Sequence, residues 1–261
     1  MRIGQVAVLI TLLVTAACAV QPSQQEVRPE RDTTGAEADE RMRARIHTEL
    51  AAGYFELGNM SVALEEANVA LRADPGYSPA YNIAGLIYSE LKEDRLAEQN
   101  FAHALRMNPL DSDANNNYGW FLCQRKREAE SIKFFLAALR NPLYQNPERT
   151  YVNAGLCARQ HGDLAGAEQF FLSALKVRPA QPQALYQAAD LAYARGDYAS
   201  AKQHLERLAQ VVQANAEVLW LGLRIERKLG DRNSEESYAH RLRNNFPDSK
   251  EAQALLAGQY E

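Results

Sequence analysis

Three thiols and five imidazoles are the side chains of this 261-residue chain best suited to covalent or metal chemistry. Three Cys are too few for a four-cysteine zinc site or a disulfide-rich scaffold. His47, His103, His161, His204 and His240 stand at spacings that suit no metal, and by helical phase they fall mostly on helix surfaces. The chain has no His-Glu-x-x-His pair, no nucleophile elbow and no phosphate loop. The carboxylate pairs Glu65-Glu66 and Glu235-Glu236 read as solvated helix faces rather than as an acid and a base. A non-enzymatic protein is expected, with no catalytic residue, no cofactor, no metal and no small-molecule substrate. The net charge of −4 supplies no basic excess to recruit nucleic acid.

Cys18 stands apart from the other two thiols. Met1-Arg2-Ile3 opens with a positive charge, Val6–Val14 is almost wholly apolar, and Thr15-Ala16-Ala17 leads into the Cys. A charged start, a short apolar core and small residues make a secretory signal peptide. The apolar run falls short of the roughly 20 residues a membrane-spanning helix needs. A Cys placed directly after two small residues resembles a bacterial lipobox, which predicts lipidation of Cys18. Each buried lipid CH2 contributes about 0.8 kcal/mol, so two or three acyl chains (palmitate, for example) anchor stably. Ala19 rather than Asp follows the Cys, which by resemblance to sorted lipoproteins favours the outer membrane, facing the periplasm. Removing residues 1–17 takes one Arg from a net charge of −4, leaving −5. Residues 18–43 then read as an acylated, disordered tether, rich in Pro, charge and amide and poor in large apolar groups. As a loose coil it spans roughly 25–30 Å.

Cys123 and Cys157 need elements to position them, and a repeat supplies these. Ala70-Leu71, Ala104-Leu105 and Ala174-Leu175 are followed by Pro75, Pro109 and Pro179 at the same offset, and the first two sets lie 34 residues apart. That is the tetratricopeptide (TPR) period. Units beginning at 44, 78, 112, 148, 182 and 216 keep the pattern, and only the third step is longer, by two residues, in the Pro-marked turn before Pro147. Slot 8 of each unit is small (Ala51, Gly85, Gly119, Gly155, Ala189), as is slot 20 (Ala63, Ala97, Ser131, Ala167, Ala201), so two helices can approach closely. Slot 24 carries Phe101, Phe135, Phe171 and Leu205 to fill the space beside them. Slot 15 is Gly58, Gly162, Gly196 and Gly230 in four units, free to take positive φ where the first helix stops. Unit 6 departs from the pattern with Leu223 and Glu235, although Gly222 adjoins the former. The expected architecture is all-α: an αα-solenoid of about six tetratricopeptide repeats over 44–261, with residues 250–261 as a C-terminal capping helix.

First helices line the concave face of such a solenoid, through slots 2, 5, 9, 12 and 13. In the first three units this face offers Phe55, Asn82, Leu86, Asn116 and Trp120, a mixture of apolar anchors and amides. It lacks the Lys-and-Asn set of a carboxylate clamp. An extended or helical protein segment is the expected ligand, its backbone paired with the amides. Trp120 and Trp220 are either hot spots for a partner or packing between units. Cys123 and Cys157 fall at slots 12 and 10 of consecutive first helices, so one can face forward while the other faces back. A disulfide and a pair of buried thiols both fit that placement.

The stretch from Asn115 to Leu175, with its NNNYGWFLC opening, PLY turn and NAGLC restart, resembles the type IV pilus pilotin lipoproteins (PilF/PilW type). The signal peptide, Cys18, short tether and six repeats are similar to that family's whole layout. The resemblance implies an outer-membrane lipoprotein that binds the pilus secretin, promotes its localisation and multimerisation, and supports fibre stability. It also implies a Cys123–Cys157 bridge, which some members carry. The other reading of the same layout is a TPR lipoprotein serving outer-membrane protein insertion or cell-wall enzymes.

Overall fold

A computed structural model describes residues 33–260, and every regular element in that span is an α-helix. The helices come in pairs: α1 (Thr33–Glu56) with α2 (Met60–Ala73), α3 (Ser78–Glu90) with α4 (Asp94–Met107), and α5 (Ser112–Gln124) with α6 (Glu128–Ala138). There follow α7 (Pro147–Gln160) with α8 (Leu164–Val177), α9 (Pro182–Ala194) with α10 (Tyr198–Ala209), and α11 (Ala216–Leu229) with α12 (Arg232–Asn245). The short α13 (Lys250–Leu256) packs on α11 and α12 and closes the end. Each pair touches mainly the pairs before and after it, the arrangement of a TPR solenoid.

The stops and starts are local chemistry. Gly58, Gly162, Gly196 and Gly230 all have positive φ. Each is followed by Asn59, Asp163, Asp197 or Asp231, whose side chain accepts from a backbone N–H of the second helix. Units 2 and 3 lack both halves of this signal. Lys92 and Lys126 take the left-handed conformation instead (φ 63° and 61°), and the residues after them, Glu93 and Arg127, give no side-chain cap. Pro75, Pro109, Pro179 and Pro247 each come one residue after a helix C-cap, where the chain must not continue helical.

Volume is matched within each pair. A Cβ on Gly85, Gly119 or Gly155 would lie 2.7, 2.9 or 2.6 Å from the ring of Phe101, Phe135 or Phe171. Units 1 and 5 carry Ala51 and Ala189 at that slot, and their second helices present the smaller Ala67 and Leu205. In unit 6 the contact is displaced by one residue on both helices: Gly222 meets Tyr238, and Leu223 is buried beside it.

Two boundaries differ from the sequence expectation. Helix α1 begins at Thr33, so residues 33–43 of the expected tether are helical. The last Pro of that region is Pro29, and beyond it Glu37, Asp39, Arg41 and Arg43 supply opposite charges four apart on good helix formers. The packed half of the helix, from Ala44 onward, nucleates the extension. The capping helix, in turn, stops at Leu256, because Gly258 turns the chain with φ 69°. The signal peptide, Cys18 and residues 19–32 lie outside the described residues. No helix among the described residues is long and apolar enough to cross a membrane.

Candidate functional site

The first helices contact one another down the array, α1 with α3, α3 with α5 and α5 with α7. Their exposed edges make the inner face. Phe55 and Leu86 lie here, both half-buried. Both rest on the cluster of Ala51, Ala63, Ala67, Ile83, Ala84 and Ile87, and Leu86 also touches the next cluster around Phe101. They therefore join units together while presenting part of their surface to the groove.

The amides behave differently from the expectation. Asn116 is only 2% exposed. Its Oδ1 accepts from Thr150 Oγ1 at 3.1 Å and from Asn153 Nδ2 at 3.0 Å, and its Nδ2 donates to Asn117 Oδ1 at 3.1 Å. Asn117 Nδ2 in turn donates to Asn82 Oδ1 at 3.2 Å. An amide ladder thus runs from α3 across α5 to α7. Asn116 is a strut inside the array and is not presented to a peptide backbone, because a buried amide must find its partners within the fold. Asn82, at the end of the ladder, remains half-buried at the groove. Adjacent Asn residues at 115–117 were the only sequence sign of this ladder, and no helical periodicity tells which of them faces a neighbour.

Trp120 is half-buried against the cluster of Cys123, Phe135, Ala154 and Cys157. The two sulfurs of that cluster are bonded to each other, with 5.8 Å between Cα atoms and 34 residues between them in sequence. Both are wholly buried. The bond staples α5 to α7 across the longest turn of the array. His161 lies beside it, with a donor atom within 4.8 Å of both sulfurs. Its Nδ1 faces Glu128 at 3.5 Å, and its Nε2 is buried with no partner. Three such groups would be a fragment of a metal site, but sulfurs joined to each other cannot act as thiolate ligands.

The histidines as a set are less exposed than helical phase implied. His47 contacts Glu66 at 2.5 Å, and His103 stacks on Tyr81 with ring centres 4.0 Å apart. His204 is half-buried, and burial holds its pKa below the usual 6.5, with Arg207 adding to the effect. Of the five, His240 alone is exposed. Of the carboxylate pairs, Glu235 and Glu236 form ion pairs with Arg227 and Arg243, and Glu66 contacts His47.

The last three units line the same face with a different set. Arg159 donates to Asp190 and Gln187. Tyr186, Tyr193 and Trp220, on α9 and α11, line clefts that include Arg224. Burial raises the Tyr186 pKa, and the Asp190 and Glu217 carboxylates add to the rise, so this phenol stays protonated as a donor. An arrangement of half-buried apolar groups, amides, aromatics and guanidinium groups can hold another protein. No group in it is poised as nucleophile and base together.

Comparison with known proteins agrees with this fold. Models of the tetratricopeptide repeat match residues 78–109, 95–143 and 158–221. The type IV pilus assembly protein PilF of Pseudomonas aeruginosa is 31% identical over 211 residues, 81% of this chain and 84% of that protein. The solved structure of P. aeruginosa PilF superposes with a TM-score of 0.76 at 30% identity, covering 84% of this chain and 99% of the other. That of PilW, described as a widely conserved type IV pilus biogenesis factor, gives 0.72 at 32%, covering 82% and 98%.

Proposed function

We propose that this chain, which belongs to the PilF/PilW-type tetratricopeptide proteins of type IV pilus biogenesis, is the outer-membrane pilotin of its system. The observation that carries the reading is the extent of the likeness: it spans nearly all of both folded chains, so it covers the whole inner face and not one repeat. As a TPR scaffold the protein has a non-enzymatic, protein-binding role. Lipid on Cys18 holds it to the outer membrane on the periplasmic side, and residues 19–32 connect the anchor to α1. The partner is the pilus secretin. Its segment sits along units 1 to 3, with Phe55, Leu86 and Trp120 as apolar contacts and Asn82 at the rim. Binding there brings secretin subunits to the outer membrane and promotes their multimerisation, and through this supports the fibre.

The experiment has two arms. Phe55→Asp with Leu86→Asp should abolish co-purification of the secretin from solubilised envelope. Because both residues are half-buried, melting is measured alongside, and Asn82→Ala serves as a milder groove variant that leaves the apolar packing alone. Burying one such anchor is worth roughly 1.5–3 kcal/mol, about tenfold or more in occupancy. Full capture by the folded double variant would place the partner elsewhere. In the second arm Cys18→Ala should leave the chain unprocessed or mislocalised on membrane fractionation. Normal processing and outer-membrane recovery of that variant would remove the anchor from the reading.

A further inference from the structure

The inner face changes character along the array. At slots 2, 5, 9, 12 and 13 of units 1 to 3 the charged residues are Arg45 against Glu56, Glu90 and Asp113. At the same slots of units 4 to 6 they are Arg149, Arg159, Arg224, Arg227 and Lys228 against Asp190 and Glu217. A chain of net charge −4 therefore concentrates positive charge on the inner face of its C-terminal half.

Arg224 is the unusual member. Arg149, Arg159 and Arg227 each donate to a carboxylate, on Asp113, Asp190 and Glu235. Arg224 has one ion-pair partner, Asp190, with Nη2 to Oδ1 at 3.9 Å, too long for a hydrogen bond, and the other oxygen of that carboxylate is held by Arg159. Its Nε is buried with no partner. The guanidinium carbon lies 4.8 Å from the centre of the Tyr193 ring and 6.0 Å from that of Trp220, so two aromatic faces hold the plane in place. Two open clefts meet at this group. One, of about 370 Å³, includes Tyr186, Trp220 and Lys250 in its wall, with Glu217 and Glu251 paired to Lys250 at 3.8 and 3.6 Å. The other, of about 410 Å³, is bounded by Tyr193, Lys228 and Tyr260. The Tyr260 ring stacks on Trp220 at 5.9 Å and lies 3.8 Å from the Arg227 guanidinium, which fixes the wall of the second cleft.

We propose that the inner face of units 5 and 6 is a second peptide-binding site, in which Arg224 takes a carboxylate of an acidic segment from a protein partner. A guanidinium held between two rings, with no hydrogen-bond acceptor of its own, is pre-organised for a paired, two-point contact with a carboxylate through its terminal nitrogens. The clefts on either side take the flanking side chains of an extended segment, against Trp220 and Tyr186 on one side and Tyr193 and Tyr260 on the other. The surrounding cations draw such a segment in from solution. This site is separate from the groove of units 1 to 3, and one partner, or two, can be held at both ends of the array.

The test uses the full chain in detergent and two fluorescein-labelled twelve-residue peptides, one with Glu at every third position among Ser and Leu, the other with each Glu replaced by Gln. Anisotropy should show the wild-type chain binding the Glu peptide about tenfold or more tightly than the Gln peptide at low salt, as expected for a charged hydrogen-bonded pair. The preference should shrink as salt rises. Arg224→Gln should remove the preference, and Arg224→Lys should restore part of it. A guanidinium that served only to brace the array would lower the melting temperature and leave the ratio of affinities alone. Equal binding of both peptides by the wild-type chain overturns the proposal, as does a preference that survives in folded Arg224→Gln. Should that variant fail to fold, a Glu peptide carrying a photo-crosslinker decides on the wild-type chain. Label on α9, α11 or the segment after α13 supports the site, and label confined to other helices overturns it.

Discussion

Reducing the Cys123–Cys157 bond should destabilise the middle of the array far more than its ends. The bond closes a loop of 34 residues between α5 and α7. In the chain-entropy account a loop of that length contributes about 3–4 kcal/mol by restricting the unfolded chain. For a folded region of this size each kcal/mol moves the melting temperature by roughly 2–4 °C, so the expected drop is roughly 6–16 °C. Oxidised and reduced samples of the wild-type chain are the right comparison. Replacing both Cys by Ala would add a hole among Phe135, Ala154 and Trp120 and so mix two effects. Both sulfurs are fully buried, so the chain must be unfolded with reductant, refolded and alkylation-checked before melting. Because each unit touches mainly its neighbours, the loss must also be local. Hydrogen exchange should rise in α5 to α7 and stay nearly unchanged in α12 and α13. Equal melting of the two samples would refute the reasoning. So would two alkylatable thiols in chain purified without reductant, or an exchange increase spread evenly from α1 to α13.

Lys126→Gly should stabilise the chain by about 0.5–1 kcal/mol, read as a higher urea midpoint, because Lys126 holds a left-handed φ of 61° that Gly adopts without strain; an unchanged or lower midpoint would count against that strain. Gly155→Ala should cost about 1–3 kcal/mol through its contact with Phe171, and adding Phe171→Leu should recover part of it, since unit 5 already pairs Ala189 with Leu205. Strictly additive losses would contradict the volume matching. His204 has a folded-state pKa below 6.5, so the unfolded chain takes up that proton first as pH falls. The stability associated with neutral His204 is present above pH 6.5 and is lost as pH drops below it through the folded value; His204→Gln should narrow the gap between urea midpoints at pH 7.5 and pH 5, and an equal gap in both chains would exclude His204 as the cause.

The repeat was legible because it is periodic and local. A Gly at slot 15 followed by Asn or Asp ends one helix and caps the next through atoms three residues apart, whatever the rest of the chain does. Small residues opposite Phe101, Phe135 and Phe171 state in the sequence which faces must meet, since volume has to close. The start of α1 was not legible, because residues 33–43 lack the apolar stripe that marks a helix; they continue one that tertiary packing has already started at Ala44. The displacement in unit 6 was visible as an anomaly at Leu223, but only the fold shows both helices moving by one residue to bring Gly222 against Tyr238.

The sequence by itself determined the units, their stops and the candidate inner-face positions, since each of these follows from helical phase and from contacts within one hairpin. It could not determine what those positions do. Asn116 and Asn117 are neighbours of one type, yet Asn116 is closed into the array by Thr150 and Asn153 while Asn117 reaches back to Asn82. Arg159 and Arg224 are alike in kind and in helix face, yet one is hydrogen-bonded to Asp190 and the other is left between two rings. Those differences depend on the angle at which consecutive hairpins stack, which sets pairings between residues some 30 or more apart, and that angle is a property of the packed array.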